Sequence, residues 1–458
     1  MLANLSLGSL ALVLLFFTYQ YVVLPAFVSP LSRIPAAHPF CHITWRWLRR
    51  QQRQHRELNT LYAAHQRHGP LVRLGPNEVS VASPEGLRLV YIAGLEKTEW
   101  YAGEFMNYGT PNLVSMMHHA PHSRQKRMIS GVYAKSYIQR SVAFRTLSES
   151  IMLDRFVPLL EKLSAEKRPI NVLEMAQWAG MDFMTGYIFG LQGSTNFLQD
   201  AQSREKYFGP AGDKQYRESV CLEMCERAAE GLSRGNEDAV VFSRLFSQIQ
   251  AASGQGPKPN HQATLLRCAS EVFDHMLAGH ETSGITVTYI LWHLSADRKL
   301  QQRLKAEIRS CGSYSQTPDQ HTTDPAEAPK IPTPTAIDGL PLLSAIVQET
   351  LRLHAAAPSR QPRVVPAGGI ECHGYHIPAG TTISSNAYTL HRNAEAFPEP
   401  ERWRPERWMS SGATARDTLS NKNSPLGNEQ MRRHFWPFSS GGRYVWLSYC
   451  HEWVSERS

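Results

Sequence analysis

Residues 278–282 read Ala-Gly-His-Glu-Thr and lie in the longest stretch with helical periodicity. A glycine in mid-helix costs about 1 kcal/mol relative to alanine, and a threonine there can donate back to the carbonyl four residues earlier, which loosens the helix. Ala278, Gly279 and Thr282 would therefore form a groove in which a small ligand approaches the backbone. Glu281, an acid beside a hydroxyl, is a plausible proton relay. The alternative is a glycine needed only for packing and an incidental threonine.

A second candidate group runs from Phe438 to Arg443 and reads Phe-Ser-Ser-Gly-Gly-Arg. The paired glycines, Gly441 and Gly442, let the backbone approach a flat ligand closely, and Arg443 could bind a carboxylate. The pattern would suit a flat ligand that carries a carboxylate. The same letters also describe an ordinary glycine-rich turn.

A third group combines one carboxylate with two guanidinium groups. Glu349 and Arg352 are three residues apart, so they share one helical face and can pair. Arg407, in the Pro/Arg/Trp-rich stretch 397–408, could bridge this pair from a distant part of the chain. The expected role of the three residues is structural, and the alternative is a solvated surface pair.

The composition limits the kinds of protein that can hold these groups. The chain has 458 residues, 42% of them hydrophobic, a net charge of +8 and seven cysteines. The net positive charge would suit binding to a nucleic acid, an anionic membrane surface or an acidic partner. No dense run of lysines and arginines supports binding to a nucleic acid. The cysteines are scattered and form no CxxC pair, which argues against a disulfide scaffold and a zinc site and favours a reducing compartment.

Residues 1–28 are predicted to form a single transmembrane anchor. They carry no charged side chain, and the mostly apolar run from Leu5 to Phe27 is long enough to cross a bilayer as a helix. The alternative, a cleaved signal peptide, would have a basic start, a shorter apolar core and a clear cleavage site. Arginines after the run place that flank in the cytosol and the N-terminus in the lumen. Prolines and arginines in residues 29–60 predict a stiff hinge.

Residues 61–458 are predicted to form one mostly α-helical domain with minor β-structure. The longest predicted helix covers residues 262–297 and contains the first candidate group. The other predicted features are a pair of strands within 71–81, further helices over 115–310, an exposed Pro/Thr/Asp-rich loop over 312–336 and small sheets between 363 and 390.

In this order and at these spacings, the three groups resemble motifs of the cytochrome P-450 family. Residues 278–282 resemble its oxygen-binding motif on the long central helix, and Phe438 to Arg443 resemble the first part of its haem loop. Glu349 and Arg352 resemble its Glu-x-x-Arg pair, which Arg407 would complete as a triad. The resemblance covers about residues 30–443. Within it, residues 386–408 are most similar to members from fungal secondary metabolism.

The resemblance implies a haem-dependent monooxygenase with the cytochrome P-450 fold, which inserts one oxygen atom from O2 into an apolar small molecule. Glu281 and Thr282 would handle protons. Haem b would be the cofactor, and basic side chains would hold its propionates by charge-assisted hydrogen bonds. The implied cofactor-binding residues are His122, Lys126, Arg127, Ala278, Gly279, Arg363, Phe438, Gly441 and Arg443. Lys126 and Arg127 have an alternative as a solvated helix face.

The resemblance also implies partners and a location. An NADPH-dependent flavoprotein reductase would supply the electrons. The anchor would hold a cytosolic catalytic domain at the membrane of the endoplasmic reticulum as a single-pass protein.

The chain departs from the family pattern where the iron-binding cysteine is expected. The family places that cysteine two residues after the haem-loop arginine, and here this position is Val445, which cannot ligate iron. A thiolate ligand favours O–O cleavage by pushing electron density towards the iron. Cys450 is the nearest thiol and the candidate metal ligand. The sequence stops at Ser458, so we expect the domain to be C-terminally incomplete.

Two explanations of this departure predict different functions. If Tyr444 is encoded TAT, the junction of its codon with that of Val445 contains TGT, which is a cysteine codon in a shifted reading frame. The residues that this shifted frame encodes after the cysteine fit the pattern of the family. A frameshift or splice error near Tyr444 would then explain the tail of an active monooxygenase. Alternatively, the chain is a catalytically inactive, haem-poor remnant that acts at most as a membrane-bound scaffold.

Overall fold

Helices dominate the computed structural model, and short strands form two small sheets. The structure describes residues 7–235, 238–252, 260–311, 331–409 and 429–443. The predicted class, mostly α with minor β-structure, is confirmed.

The helices, in chain order, are α1 (Leu7–Thr18), α2 (Arg46–Arg53), α3 (Glu57–His68), α4 (Pro84–Leu87), α5 (Trp100–Phe105), α6 (His119–Ile129), α7 (Lys135–Arg140), α8 (Val142–Glu149), α9 (Val157–Ala165), α10 (Val172–Phe189), α11 (Ala201–Phe208), α12 (Lys214–Ser233), α13 (Val240–Ala252), α14 (His261–Ala296), α15 (Arg298–Arg309), α16 (Pro334–Asp338), α17 (Pro341–Leu353), α18 (Ala387–Leu390) and α19 (Glu429–His434). Short 3-10 or π-helical turns cover Tyr19–Val28, Pro30–Arg33, Pro39–His42, Arg88–Ile92, Ser150–Phe156, Leu191–Gly193, Pro405–Trp408 and Gly441–Arg443. The strands are β1 (Leu71–Gly75), β2 (Glu78–Val81), β3 (Glu96–Lys97), β4 (Arg363–Val364), β5 (Ile370–Cys372), β6 (Tyr375–Ile377) and β7 (Thr382–Ser384).

The long helix α14 is the central element of the core. It has 36 residues, and each of its ends lies within one residue of the predicted limit. Asn260 caps its first turn by accepting a hydrogen bond from the backbone N–H of Gln262 at 3.0 Å. Asp297, just after its last residue, caps α15 in the same way through the N–H of Leu300 at 2.9 Å. Helices α10, α12 and α13 pack against α14 and share a large apolar core with it.

The larger sheet has the strand order β1-β2-β7-β4-β3. β1 and β2 form the predicted antiparallel hairpin, with Leu71 opposite Val81. β2 is parallel to β7, whereas β4 is antiparallel to both β7 and β3. β5 and β6 form a separate hairpin. These strands confirm the small sheets predicted between residues 363 and 390, and they place Arg363 of β4 beside Lys97 of β3.

The predicted anchor is a helix in the structure. α1 continues directly into the π-helical turns of Tyr19–Val28. Residues Ser9–Val28 have a mean hydropathy of 2.0, and none of this stretch is buried inside the protein. Its length and composition therefore suit a membrane span.

Arg73 of β1 ties the end of this helix to the sheet. Its side chain is fully buried and donates to the carbonyl oxygen of Pro25 at 2.9 Å, to that of Pro76 at 2.6 Å and to the ring Nδ1 of His42 at 2.9 Å. Burial lowers the pKa of Arg73 to about 10. The segment after the anchor packs on the sheet, and its proposed limits at residues 28 and 60 stay predictions.

Candidate functional site

The threonine of the first candidate group bonds back along its helix, as the sequence predicted. The Oγ1 of Thr282 donates to the carbonyl oxygen of Ala278 at 2.8 Å. Thr286 repeats this bond to the carbonyl of Thr282 at 2.9 Å. Two successive threonines therefore compete for the carbonyls on which the helix relies, which loosens α14 at this point.

Gly279 lies where α14 comes close to another helix. A Cβ atom at this position would lie 2.5 Å from the Cγ of Met184 on α10. Gly180 and Gly284 mark similar close approaches of α10 and α14. The side chain of Met184 therefore lies over the Cα atom of Gly279, and a ligand groove at this position stays a prediction.

The accessible face of α14 lies at Ala278 and Thr282 instead. Every residue from Cys268 to Met276 is buried, whereas Leu277, Ala278 and Thr282 are half-buried and Glu281 is exposed. Ala278 and Thr282 are four residues apart and so share one side of the helix. Within the part of α14 that the structure describes, this face can receive a ligand.

Glu281 and His280 have different surroundings although they are adjacent. His280 is buried, and its Nδ1–H donates to the carbonyl oxygen of Met276 at 2.7 Å. Burial lowers the pKa of His280 to about 4, so it stays neutral. Glu281 is exposed but partly covered by its neighbours, and this partial burial raises its pKa above the ordinary value, while the positive charge of Arg217 opposes the shift. Glu281 is thus the side chain of this stretch that can hold and release a proton.

The second candidate group forms a tight turn against the segment Arg88–Ile92. Gly441 has a φ of +73°, and a Cβ atom there would overlap the carbonyl oxygen of Tyr91. Only glycine fits both conditions without strain. Before the turn, the indole N–H of Trp436 donates to the Oγ of Ser440 at 3.0 Å. Phe438 is half-buried beside the turn, and the side chain of Arg443 lies outside what the structure describes.

Two of the predicted basic residues flank this turn. The Nζ of Lys126 on α6 donates to the carbonyl oxygen of Gly442 at 3.2 Å. Arg363 is buried and donates to the hydroxyl of Tyr101 at 2.8 Å, and its guanidinium lies 4.9 Å from the ring centre of Tyr91. Because Tyr91 also contacts the turn, Lys126 and Arg363 lie close to the same glycine-rich loop.

His122 and Arg127 share α6 with Lys126 but differ in exposure. His122 is buried, on the inner side of the helix, whereas Arg127 is exposed to solvent. The alternative of a solvated helix face, which concerned Lys126 and Arg127, describes the exposed Arg127, whereas Lys126 is half-buried and bonds to the loop.

The third candidate group forms a buried ionic triad. Arg352 donates to both carboxylate oxygens of Glu349, at 2.9 and 2.8 Å, and the Nε of Arg407 donates to the same carboxylate at 3.0 Å. The indole N–H of Trp408 adds a further hydrogen bond at 2.8 Å. Since the side chains of Glu349 and Arg352 are fully buried, the predicted bridge is confirmed and the solvated surface pair is wrong.

His391, which the sequence reasoning missed, connects this triad to the glycine-rich loop. Its Nδ1–H donates to the carbonyl oxygen of Arg352 at 2.9 Å, and its Nε2 accepts the backbone N–H of Trp436 at 2.7 Å. Burial, together with the charge of Arg352, lowers the pKa of His391 to about 3. The histidine is therefore neutral with its proton on Nδ1. Its position within the family-like stretch 386–408 was the one available hint.

An apolar cavity of about 380 Å³ lies between α8, α10 and α14. Its lining includes Phe144, Phe183, Met184 and Leu291. Gly279 is the one predicted site residue among the described residues that line it. The cavity therefore belongs to the packing side of α14 and not to the face of Ala278 and Thr282.

The residues present fit a flat cofactor that carries carboxylates. Lys126 and the buried Arg363 supply two positive charges beside a turn whose glycine backbone can lie close to a ring system. The iron ligand is a separate question, because Val445 and Cys450 lie outside the described residues. Among the described cysteines, all are buried except Cys311, which is half-buried, and none belongs to residues 429–443.

Comparisons with known proteins agree with the motifs. A family profile described as cytochrome P-450 matches residues 213–444, about half of the chain. The cytochrome P-450 monooxygenase avaI of Aspergillus versicolor is 29% identical over 393 residues, which cover 81% of this chain and 89% of the relative. The cytochrome P-450 monooxygenase macH of Penicillium terrestre is 24% identical, covering 91% and 82%. A third relative, cytochrome P-450 monooxygenase orf2 of Aspergillus niger, is 24% identical, covering 77% and 72%.

The long central helix with its threonine, the buried triad and the glycine-rich loop thus occur in one fold, and the profile spans all three. This protein belongs to the cytochrome P-450 family and is an oxidoreductase of the monooxygenase type.

Proposed function

We propose that this protein is a haem-dependent monooxygenase that inserts one oxygen atom from O2 into an apolar small molecule of a fungal secondary-metabolite pathway. The observation that carries the proposal is the loop 438–443 held between Lys126 and the Tyr91–Arg363 pair. The fungal origin of the similar monooxygenases supports the pathway.

Haem supplies the iron at which dioxygen is reduced and from which an oxygen atom is transferred to the substrate. Lys126 and Arg363 would hold its carboxylates, and His122 and Arg443 would join them. Arg127, being exposed, would contribute charge at the rim. These groups are basic and partly fixed in advance, which favours a dianionic edge of the cofactor.

Thr282 and Glu281 would manage protons on the accessible face of α14. The hydroxyl of Thr282 already donates to the Ala278 carbonyl, so its oxygen can accept a further hydrogen bond from a bound molecule. Glu281 has a raised pKa and can release a proton and take another from solvent, because it is exposed. Ala278 has a small side chain that leaves room beside this hydroxyl.

The partners and the location follow from the same proposal. An NADPH-dependent flavoprotein reductase would supply electrons. The helix Ser9–Val28 would hold the protein at the membrane of the endoplasmic reticulum, and the arginines that follow it would keep the catalytic domain in the cytosol. We propose three units with the limits predicted from the sequence. They are an anchor over 1–28, a hinge over 29–60 and a haem domain over 61–458.

The inactive-remnant alternative depends on Val445 and on the short tail that follows it. The family profile and the curated relatives support a monooxygenase and give no support to a scaffold.

The test is a reduced carbon monoxide difference spectrum, with haem content measured on the same preparations. Three versions of the full chain are compared: the chain as written, Val445→Cys and Cys450→Ser. We expect haem in all three and the band of a thiolate ligand in Val445→Cys. If the chain as written shows this band and Cys450→Ser loses it, Cys450 supplies the sulfur. Absence of haem from every version would contradict the proposal.

A further inference from the structure

Asp274 of α14 is a buried carboxyl group with no hydrogen-bonding or ionic partner among the described residues. Its side chain is 8% exposed, and no described donor lies within hydrogen-bonding or ion-pairing distance of it. A buried polar group without a partner is costly, and a buried charge without one is more so. Such a group in a folded protein calls for an explanation, and a functional role is one of those known.

Glu271, about one turn earlier on the same helix, is a buried carboxylate whose hydrogen bonds are all supplied by the protein, and it serves as a comparison for Asp274. It is fully buried, and it accepts hydrogen bonds from the backbone N–H of Leu113 at 3.0 Å and from the side chain of Gln125 at 2.9 Å. The ring Nε2 of His275 lies 3.1 Å from its other oxygen. Glu271 is therefore satisfied by the protein itself, and Asp274 is not.

The position of Asp274 places it at the closed end of the accessible face. Asp274, Ala278 and Thr282 are spaced four residues apart, so they lie along one side of α14. The residues before Asp274 are buried, and access to solvent increases from it towards Thr282. With a rise of 1.5 Å per residue, its Cα lies about 6 Å along the helix from that of Ala278.

Asp274 faces groups of both signs but forms no ion pair with any of them among the described residues. Its charged or titratable neighbours are His275, Glu271 and Lys97 of β3. The ammonium of Lys97 already donates to the carbonyls of Leu113 and Val114, at 3.1 and 2.8 Å. The charge of Glu271 disfavours ionisation of Asp274, and those of His275 and Lys97 favour it. Burial is the largest influence and raises the pKa of Asp274 to about 7.

We propose that Asp274 binds a positively charged nitrogen of the substrate and thereby fixes which part of the molecule lies beside Ala278 and Thr282. The substrate is then an apolar body that carries a protonated amine or guanidine. This inference rests on the proposed monooxygenase function and adds the class of substrate and one specificity-determining residue.

The test uses three ligands that share one apolar body: 1-adamantylguanidinium, 1-adamantanol and 1-adamantanecarboxylate. Equilibrium dialysis against the full chain in nanodiscs measures their affinities without any need for turnover. The guanidinium is protonated and so cannot ligate iron through a lone pair. We expect it to bind at least tenfold more tightly than the alcohol, and the carboxylate to bind weakest.

Asp274→Asn is the decisive variant, with Glu223→Gln, an exposed carboxylate on the neighbouring helix α12, as its matched control. We expect Asp274→Asn to reduce the affinity for the guanidinium to within twofold of that for the alcohol, and the control to change neither. An equal loss for both ligands would show a neutral hydrogen bond and overturn the inference.

Thermal unfolding separates this role from a structural one. Asp274→Asn keeps the shape of the side chain and removes a buried charge that has no ion-pair partner among the described residues, so it is expected to unfold at a temperature no lower than the wild type. A large destabilisation would make Asp274 structural and contradict the proposal. If the variant does not fold, equal binding of guanidinium and alcohol by the wild type is also sufficient to overturn it.

The outcome is independent of the test of the monooxygenase. A chain that binds haem and shows no preference for the cation overturns this inference alone. A chain without haem that keeps an Asp274-dependent preference contradicts the proposed function alone.

Discussion

The backbone N–H of Trp436 donates to the Nε2 of His391 at 2.7 Å. Through this bond the segment before the glycine-rich loop is attached to a residue whose other ring nitrogen donates to the backbone carbonyl oxygen of Arg352 in the buried triad. The triad therefore stabilises the loop at a distance, because the position of His391 depends on Arg352 and that of Trp436 depends on His391.

Replacing His391 should destabilise the fold and weaken the loop. His391→Ala leaves the N–H of Trp436 and the carbonyl of Arg352 unsatisfied in the core, at a cost of about 1–3 kcal/mol for each group. Urea unfolding followed by circular dichroism measures this loss. His376→Ala, at an exposed site on β6, is the control and should change the free energy of unfolding by less than about 1 kcal/mol. Equal effects of the two variants would contradict the connecting role.

Removal of the central carboxylate should be still more costly. Glu349→Gln leaves Arg352 and Arg407 buried without their counter-charge, and breaking such a group costs about 3–5 kcal/mol. The same unfolding experiment applies, with the exposed Glu371→Gln as control. A loss below about 1 kcal/mol would show that the triad is not structural.

The two glycines of the loop offer a matched pair. Gly441→Ala must adopt a left-handed conformation, which costs about 1–2 kcal/mol, and must also displace the carbonyl of Tyr91. We expect this variant to lose most of its bound haem, measured as haem per chain. In Gly442→Ala the nearest atom to the new Cβ is the Nε2 of His119 at 3.6 Å, an ordinary contact, so haem content should be unchanged. Similar losses in both would mean that the turn geometry is unimportant.

The packing role of Gly279 can be tested by a double-mutant cycle. Gly279→Ala forces Met184 to move, and overpacking of this kind costs about 1–3 kcal/mol. In a Met184→Ala background, the same substitution should have little effect on the free energy of unfolding. Equal costs in the two backgrounds would show that Met184 is not the obstacle.

The stability of the protein should depend on pH through Asp274. Its pKa is about 7 in the folded state and lower in the unfolded chain, so the folded state binds more protons between the two values. The free energy of unfolding should therefore fall as the pH rises from 4 to about 7, and level off above that. Asp274→Asn should lack this part of the pH dependence. Identical pH profiles of the variant and the wild type would contradict the raised pKa.

The elements that position the site could be predicted because they depend on local patterns. The helical period placed α14 within one residue at each end, and the alternation around Gly75 predicted the first hairpin. The back-bonding of Thr282 follows from residue type and helix alone. The spacing of Glu349 and Arg352 likewise predicted an intrahelical pair.

The partners of individual side chains could not be predicted in the same way. Periodicity indicates which side of a helix a residue occupies but not what packs there, so the contact of Gly279 with Met184 was open. His391 carried no motif of its own, because its two bonds join segments that only the tertiary fold brings together. For Asp274, the informative fact is the lack of a described partner, which no sequence pattern states.

The hydrogen bond from Arg73 to Pro25 has a practical consequence for anyone who wishes to handle this protein in water. Pro25 lies inside the apolar helix, so a shortened version that starts after it removes one acceptor of a fully buried guanidinium. The cut that deletes the hydrophobic helix at the smallest structural cost therefore falls before Pro25. The last turn of that helix then stays with the globular body, where it completes the shell of acceptors around Arg73.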